Sequence, residues 1–203
     1  MWLEQHRIGP YQNFTYIVAD RDGGEGVVID PSFGIEPVLE SIDEHGIKVR
    51  YILNTHRHQD HIAGNADVRA RTGAKIVAHR LVPFHPDVVV EEGSTIEAGG
   101  LRFTVRHTPG HTPDSVLFLF EGHVATGDTL FVGECGRVDL PESDPKAMWE
   151  SLLHTVVRLD DALVVLPGHD YGPTPTSTIG QEKAENYTLK ARTQAEFLKF
   201  LAS

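Results

Sequence analysis

Residues 54–65 read NTHRHQDHIAGN and place His56, His58, Asp60 and His61 within six positions. In extended backbone, residues two apart face the same way, so His56 and His58 can grip one ion together. Asp60 and His61 follow where a helix is expected to begin, point elsewhere, and are free to serve a second ion. A bare His-x-His pair is more often a surface accident than a ligand pair. The added carboxylate and third imidazole change that balance, because neutral imidazole and carboxylate are common ligands of zinc and iron.

Partners for this cluster lie further along. His111 follows the apolar run LRFTVRHT through a Pro-Gly turn, Asp128 follows HVATG, and His169 follows ALVVLPG. With YILNT before the opening cluster, four strand-like runs end within a few residues of a candidate ligand. If those strands run the same way in the sheets of one sandwich, their ends gather at one rim. Seven ligands then suit two adjacent ions: His56, His58 and His111 on one, Asp60, His61 and His169 on the other, Asp128 between them. Two cations lower the pKa of a bridging water and polarise a carbonyl or phosphoryl oxygen. The implied chemistry is metal-assisted hydrolysis, with Asp60 and Asp128 as its carboxylates. The other seven histidines match no ligand spacing; His107 is ambiguous because it lies near the expected site.

Outward from the motif the chain alternates strands and helices. NFTYIVA (13–19) and GVVID (26–30) predict strands split by the turn-prone RDGGE. IEPVLESIDEHG predicts a helix with Ile35, Val38, Leu39 and Ile42 on one face, stopped by Gly46. IAGNADVRARTG predicts another, ended by Gly73, before the strand AKIVAH. STIEA, LRFTVRHT, SVLFLFEG and HVATGD form a second batch of strands. After the loop GECGRVDLPESDP come a helix over KAMWESLLHTVVRL, the strand ALVVLPGHD and a helical end, GQEKAENYTLKARTQAEFLKFLA, in two pieces. Two batches of strands, each with a helix to cover it, predict a mixed α/β architecture.

The bulk properties narrow the partners. The 203 residues carry 18 basic and 29 acidic side chains, a net charge of −11. Such a surface repels phosphate backbones, and the basic residues are scattered, so no nucleic-acid partner is expected. A single cysteine, Cys135, permits no intrachain disulfide. No apolar run has signal-peptide or membrane-spanning character. These features predict a cytoplasmic monomer or homodimer, free of membranes, acting on a small molecule.

THRHQDHIAG, TPGHTPDS, TGDTLF and LPGHDYG, in this order and spacing, resemble the metallo-β-lactamase superfamily. The resemblance implies an αββα four-layer sandwich over 1–203, one domain with a short C-terminal helical extension and the metal site along one edge. TGDTLFVGECGR is similar to the glyoxalase II (hydroxyacylglutathione hydrolase-like) branch, which hydrolyses S-acyl-glutathione thioesters. That similarity implies two divalent ions, zinc first, with iron or manganese as the other candidates. Arg137 either holds a substrate carboxylate or pairs with a nearby acid. Tyr171 either leans over the metal toward substrate or packs after its strand. Two departures stand out: Val138 and Asp139 follow Arg137 where that branch has two aromatics, and Asp114 stands where glycine is common.

Cys135-Gly136-Arg137 with Asp139, and His169-Asp170-Tyr171, also resemble the persulfide dioxygenases. That alternative implies one Fe(II) held by His56, His111 and Asp128, acting on glutathione persulfide. Cys135 reads as a small apolar residue rather than a nucleophile. Gly127 and Gly168 read as positions where the backbone turns tightly beside the ions. A non-catalytic scaffold would be expected to have lost ligands, and this chain keeps all seven. A nuclease of the same superfamily is disfavoured by the charge and by the absence of a basic insertion.

Overall fold

The computed structural model describes residues 1–191 and 193–201. One sheet takes β1 (Trp2–Ile8), β2 (Asn13–Ala19), β3 (Glu25–Ile29), β4 (Lys48–Leu53), β5 (Lys75–His79) and β6 (Val88–Val90), side by side in chain order. β1 to β3 pair antiparallel and β3 to β6 parallel, with α1 (Glu36–Glu44) and α3 (Asn65–Thr72) as crossovers. The other sheet runs in order through β7 (Thr95–Ala98), β8 (Leu101–His107), β9 (Val116–Phe120), β10 (His123–Gly127), β11 (Val164–Pro167) and β12 (Ser177–Thr178). It is antiparallel except for β10 and β11, whose connection carries α4 (Pro145–Glu150). Two further helices, α5 (Ile179–Glu185) and α6 (Gln194–Leu201), follow β12.

β2 explains the layering. All seven of its residues are buried, and its period-two alternation divides one apolar run between two cores. Phe14, Tyr16 and Val18 meet Phe103, Phe118 and Leu166 of the facing sheet. Ile17 and Ala19 point the other way, into a cluster with Val38, Ile42 and Val68 from the helices. The second sheet does the same, with Leu117, Val124 and Val165 under Met148, Leu152 and Phe197. Each fully buried side chain of this size contributes about 1.5–3 kcal/mol, which far exceeds the helix propensity of such short segments. The result is helix, sheet, sheet, helix: the αββα sandwich. Among the described residues no helix is long and apolar enough to cross a membrane.

Several elements differ from expectation. β1, β6 and β12 were not predicted; β1 is half-buried on both faces, so WLEQHRI has no clean alternation. The expected helix over 62–73 is two pieces, the single turn α2 (Gln59–Ile62) and then α3. The backbone bends between them, where Gly64 N–H donates to the Pro31 carbonyl at 2.9 Å. The helix after Asp144 starts on a true cap, the Asp144 carboxylate accepting from the Lys146 and Ala147 amides. It stays α-helical only to Glu150, then widens into a π turn and tightens into a 3-10 turn ending at Arg158. The helical end expected over 180–202 is α5, a 3-10 turn and α6; Arg192 and Ala202 lie outside the described residues.

The ends that matter do gather. β8 and β10 each run antiparallel to β9, and β11 is parallel to β10, so three ligand-bearing strands point the same way. The extension of β4 joins them through the Val116 amide, which donates to the Thr55 carbonyl at 2.8 Å. The start of β2 is tied to the same rim, Phe14 N–H donating to the Gly168 carbonyl at 2.8 Å.

Candidate metal centre

β4 ends at Leu53, and Asn54 anchors the turn that follows by a reciprocal amide pair with Asn65 at the start of α3 (3.0 and 2.8 Å). His56 and His58 therefore lie beyond the strand, yet still converge, Nε2 of the first 3.2 Å from Nδ1 of the second. His111 Nε2 completes this set, 2.9 Å from His58 Nδ1. In the second set His61 Nε2 and His169 Nε2 are 3.1 Å apart, and Asp60 Oδ2 lies 3.5 Å from each. Asp128 stands between: its Oδ2 is 3.4 Å from His111 Nε2 and 3.3 Å from His169 Nε2, and its Oδ1 is 3.3 Å from His61 Nε2. All seven expected ligands thus meet at one place. Ligands about 2.0–2.1 Å from a tetrahedral ion stand roughly 3.3 Å apart, the spacing seen here.

Each ring is fixed by what its outer nitrogen does. His111 Nδ1 donates to the Arg137 carbonyl (2.7 Å) and His169 Nδ1 to the Tyr11 carbonyl (2.8 Å). His61 Nδ1 donates to Asp30 Oδ2 (3.0 Å), and His58 Nε2 to Glu142 Oε1 (2.8 Å). The Thr55 hydroxyl gives its hydrogen to Asp30 Oδ2 (2.5 Å), so its oxygen accepts from His56 Nδ1 (3.1 Å). Partners that can only accept force the proton outward and leave five inward nitrogens bearing lone pairs. Lone pairs about 3 Å apart repel unless a cation or a proton lies among them. The Asp128 Oδ1 atom, buried and without a hydrogen-bond donor, adds to the same demand.

The electrostatics divide the centre. Burial holds His56 well below the ordinary histidine range, with neighbouring His61 adding to the effect. His111 is lowered too, burial outweighing the pull of Asp128. At His61 burial is overcome by Asp128, Asp30 and Asp60, which together lift it to about 9. His169 is raised because Asp128 outweighs its burial. Asp128 is held well below the carboxylate range: burial opposes this, but His61, His169 and His56 prevail. Cations and protons therefore compete for the second set's inward nitrogens.

Sequence reasoning missed the bracing residues. Asp30, at the end of β3, lies close to His56 and His61, but its oxygens are taken by Thr55 and His61, so it orients rather than ligates. It adopts a left-handed φ of +48°, a conformation aspartate tolerates better than most side chains. Its signal was available, since GVVID is another apolar run ending in a potential ligand. Asn13 donates to Asp60 Oδ2 at 2.8 Å. Asp114, the departure from glycine, is fully buried, 2.9 Å from Arg57 between the two leading histidines. Burial pushes its carboxyl up and Arg57 opposes that shift. His107 does not face the centre; it stacks on His79 and donates Nε2–H to the Pro113 carbonyl.

Two glycines admit the close packing. A Cβ on Gly127, whose φ is +49°, would lie 2.3 Å from Thr55 Oγ1 and break the relay to His56. A Cβ on Gly168 would lie 2.4 Å from Asp128 Oδ1 and 2.8 Å from His61 Cε1. Over the centre opens a cavity of about 200 Å3, bordered by His58, Asp60, His111, Asp128, His169 and Tyr171. The Tyr171 ring stacks on His169 at 4.6 Å, half exposed. Arg137 is at the rim but closed on itself, its guanidinium bidentate to Asp139 at 2.8 and 3.0 Å. Cys135 is buried, and burial with Glu134 pushes its thiol up to about 12, which suits packing rather than attack.

A buried histidine–carboxylate centre at the rim of an αββα sandwich defines a divalent-metal enzyme. The chain belongs to the metallo-β-lactamase superfamily, whose family model matches residues 8–85 and 78–169. It is 39% identical over 173 residues to a hydroxyacylglutathione hydrolase of Anaeromyxobacter dehalogenans (strain 2CP-C), covering 84% of this chain and 66% of that protein. It is 34% identical over 194 residues to the human mitochondrial persulfide dioxygenase ETHE1, covering 94% of this chain and 76% of that protein. The chain thus spans just under two thirds of that hydrolase and about three quarters of that dioxygenase. The crystal structure of ETHE1 from Myxococcus xanthus matches with a TM-score of 0.93 at 30% identity, over 100% of this chain and 91% of that one.

Proposed function

We propose that this protein is a dinuclear hydrolase of small-thiol thioesters, S-acyl-glutathione being the class suggested by the hydrolase relatives, with zinc as its metal. The observation that carries the reading is the pair of three-donor sets joined by Asp128. One ion held by His56, His111 and Asp128 would leave Asp60, His61 and His169 converged without a task. Two divalent ions, when bound, supply an acidic water and polarise the thioester carbonyl. The remaining work belongs to the chain. His56, His58 and His111 would hold one ion as neutral rings, and Asp60, His61 and His169 the other as a more anionic set. Asp128, whose oxygens face both sets, would be shared by them. Asp60, steadied by Asn13, borders the small cavity where nucleophile and carbonyl meet. Tyr171 lines one side of that cavity, stacked on His169.

A second reading is a persulfide dioxygenase with one Fe(II) on His56, His111 and Asp128. It is supported by the ETHE1 likeness over almost the whole chain and by the Arg137–Asp139 pairing. Elemental analysis of protein purified without added metal decides between them. Near two zinc per chain with thiol release from S-acyl thioesters is expected. Near one iron, with oxygen uptake on glutathione persulfide, replaces the hydrolase with the dioxygenase. His111→Ala is expected to abolish activity while circular dichroism shows a folded protein; turnover retained in that variant overturns the ligand assignment.

A further inference from the structure

Arg57 lies between two candidate ligands, His56 and His58. A guanidinium does not shed its charge, so an arginine at this position competes for any carboxylate that serves the centre. Two carboxylates feel it. Asp114 Oδ1 stands 2.9 Å from Arg57 Nε, the Asp114 side chain wholly buried and that of Arg57 21% exposed. Glu142 accepts Nε2–H of His58 at 2.8 Å. That hydrogen bond holds Glu142 below the ordinary carboxylate range, and the charge of Arg57 adds to the pull.

The shape of the two loops does not require the Asp114 carboxylate. The turn after His111 is closed by the Thr112 and Ser115 hydroxyls, 2.8 Å apart, and by the Thr108 amide, which donates to the Ser115 carbonyl at 2.8 Å. The segment that carries His56 is fastened to β9 through the Val116 amide and the Thr55 carbonyl. Burying a carboxylate is costly unless a cation meets it, so a buried aspartate beside an otherwise closed turn calls for a reason. What Asp114 adds is a sheltered partner for Arg57. Glycine, common at this position in the family, offers none.

We propose that Asp114 is a positioning residue: it holds the Arg57 cation in a buried ion pair, keeps it from Glu142, and so leaves that acceptor to His58. With Asp114 neutralised, Arg57 pairs with Glu142, His58 loses the partner of its outer nitrogen, and positive charge moves toward the first donor set. Both changes weaken the ion held there. The proposal rests on the dinuclear reading only for His58 as a ligand.

Chelator competition for zinc on metal-free protein tests it, with circular dichroism as the check of folding. Asp114→Asn is expected to weaken one of the two ions about tenfold, and the further change Arg57→Gln to return it to within roughly threefold of wild type. A pair that served stability alone would lower Tm and show no such rescue. Unchanged affinity in Asp114→Asn, an equal loss at both ions, or a loss that Arg57→Gln fails to restore overturns the proposal. Should Asp114→Asn not fold, Asp114→Gly carries the same expectation. The His58 ring reports separately, whatever the ion count. In imidazole 15N spectra of zinc-loaded protein its Nε2–H is expected to resist solvent exchange in the wild type, to exchange freely in Asp114→Asn, and to be protected again in the double variant. Equal protection in all three sinks the role of Asp114. One zinc per wild-type chain overturns the dinuclear reading instead, and the ring signal still decides where Arg57 goes.

Discussion

The two halves of the metal centre use the same ring chemistry in opposite electrostatic settings. His56, His58 and His111 bring three imidazoles, and the one carboxylate bonded to an outer nitrogen in this set, Glu142, is itself a third exposed. Asp60, His61 and His169 sit with Asp30 and Asn13 behind them, in a place where His61 is almost wholly buried. His56 and His111 are consequently depressed, whereas His61 and His169 are raised. The same side chain is thus made a poor partner for positive charge where burial prevails and a good one where neighbouring carboxylates overcome it. The second half, ringed by more carboxylates, is the stronger trap for positive charge.

On the dinuclear reading proposed above, three substitutions probe this contrast. Asp128→Asn removes the anion common to both halves and should have the largest effect, weakening both ions and lowering kcat/KM by roughly 10³-fold or more. Elemental analysis that finds one ion held at full strength would show the halves to be independent and break the comparison. Asp30→Asn takes away the carboxylate that orients His61, so the second ion should bind about 10–100-fold more weakly with the first little changed. Chelator competition resolves the two; an equal loss at both would mean that the relay through Thr55 dominates instead. Glu142→Gln, at a partly exposed partner, should cost the first ion only about two- to fivefold in affinity, since solvent screens that interaction. A loss as large as that from Asp30→Asn would erase the proposed difference between buried and exposed bracing.

How much of this could be read in advance follows from range. β2 was legible residue for residue because NFTYIVA is apolar throughout and bounded by turns. The seven converging side chains were legible because four strand-like runs each end within a few residues of one or more of them, a local pattern. Asp30 shared that pattern and was overlooked, since no histidine stood beside it. Glu142 and the Tyr11 carbonyl carry no local mark at all. They reach His58 and His169 across 84 and 158 residues, and only the folded rim brings them together. β1 escaped for a different reason: partly covered on both faces, it lacks the contrast that alternation needs. The role of Asp114 depended on Arg57 lying opposite it, which spacing does not encode.

The turn before β2 is stitched to the last ligand segment by three bonds: Phe14 to Gly168, Asp170 to Gln12, and His169 to Tyr11. A chain leaving the ribosome therefore makes one brace of its centre 158 residues before the matching ligand. Until then the set of Asp60 and His61 lacks its last member, although His56, His58, His111 and Asp128 precede it in the chain. Completion of the set that contains His169 and the closing of this long loop become one late event, so starvation for metal during synthesis should be felt as slow maturation before it is felt as lost turnover.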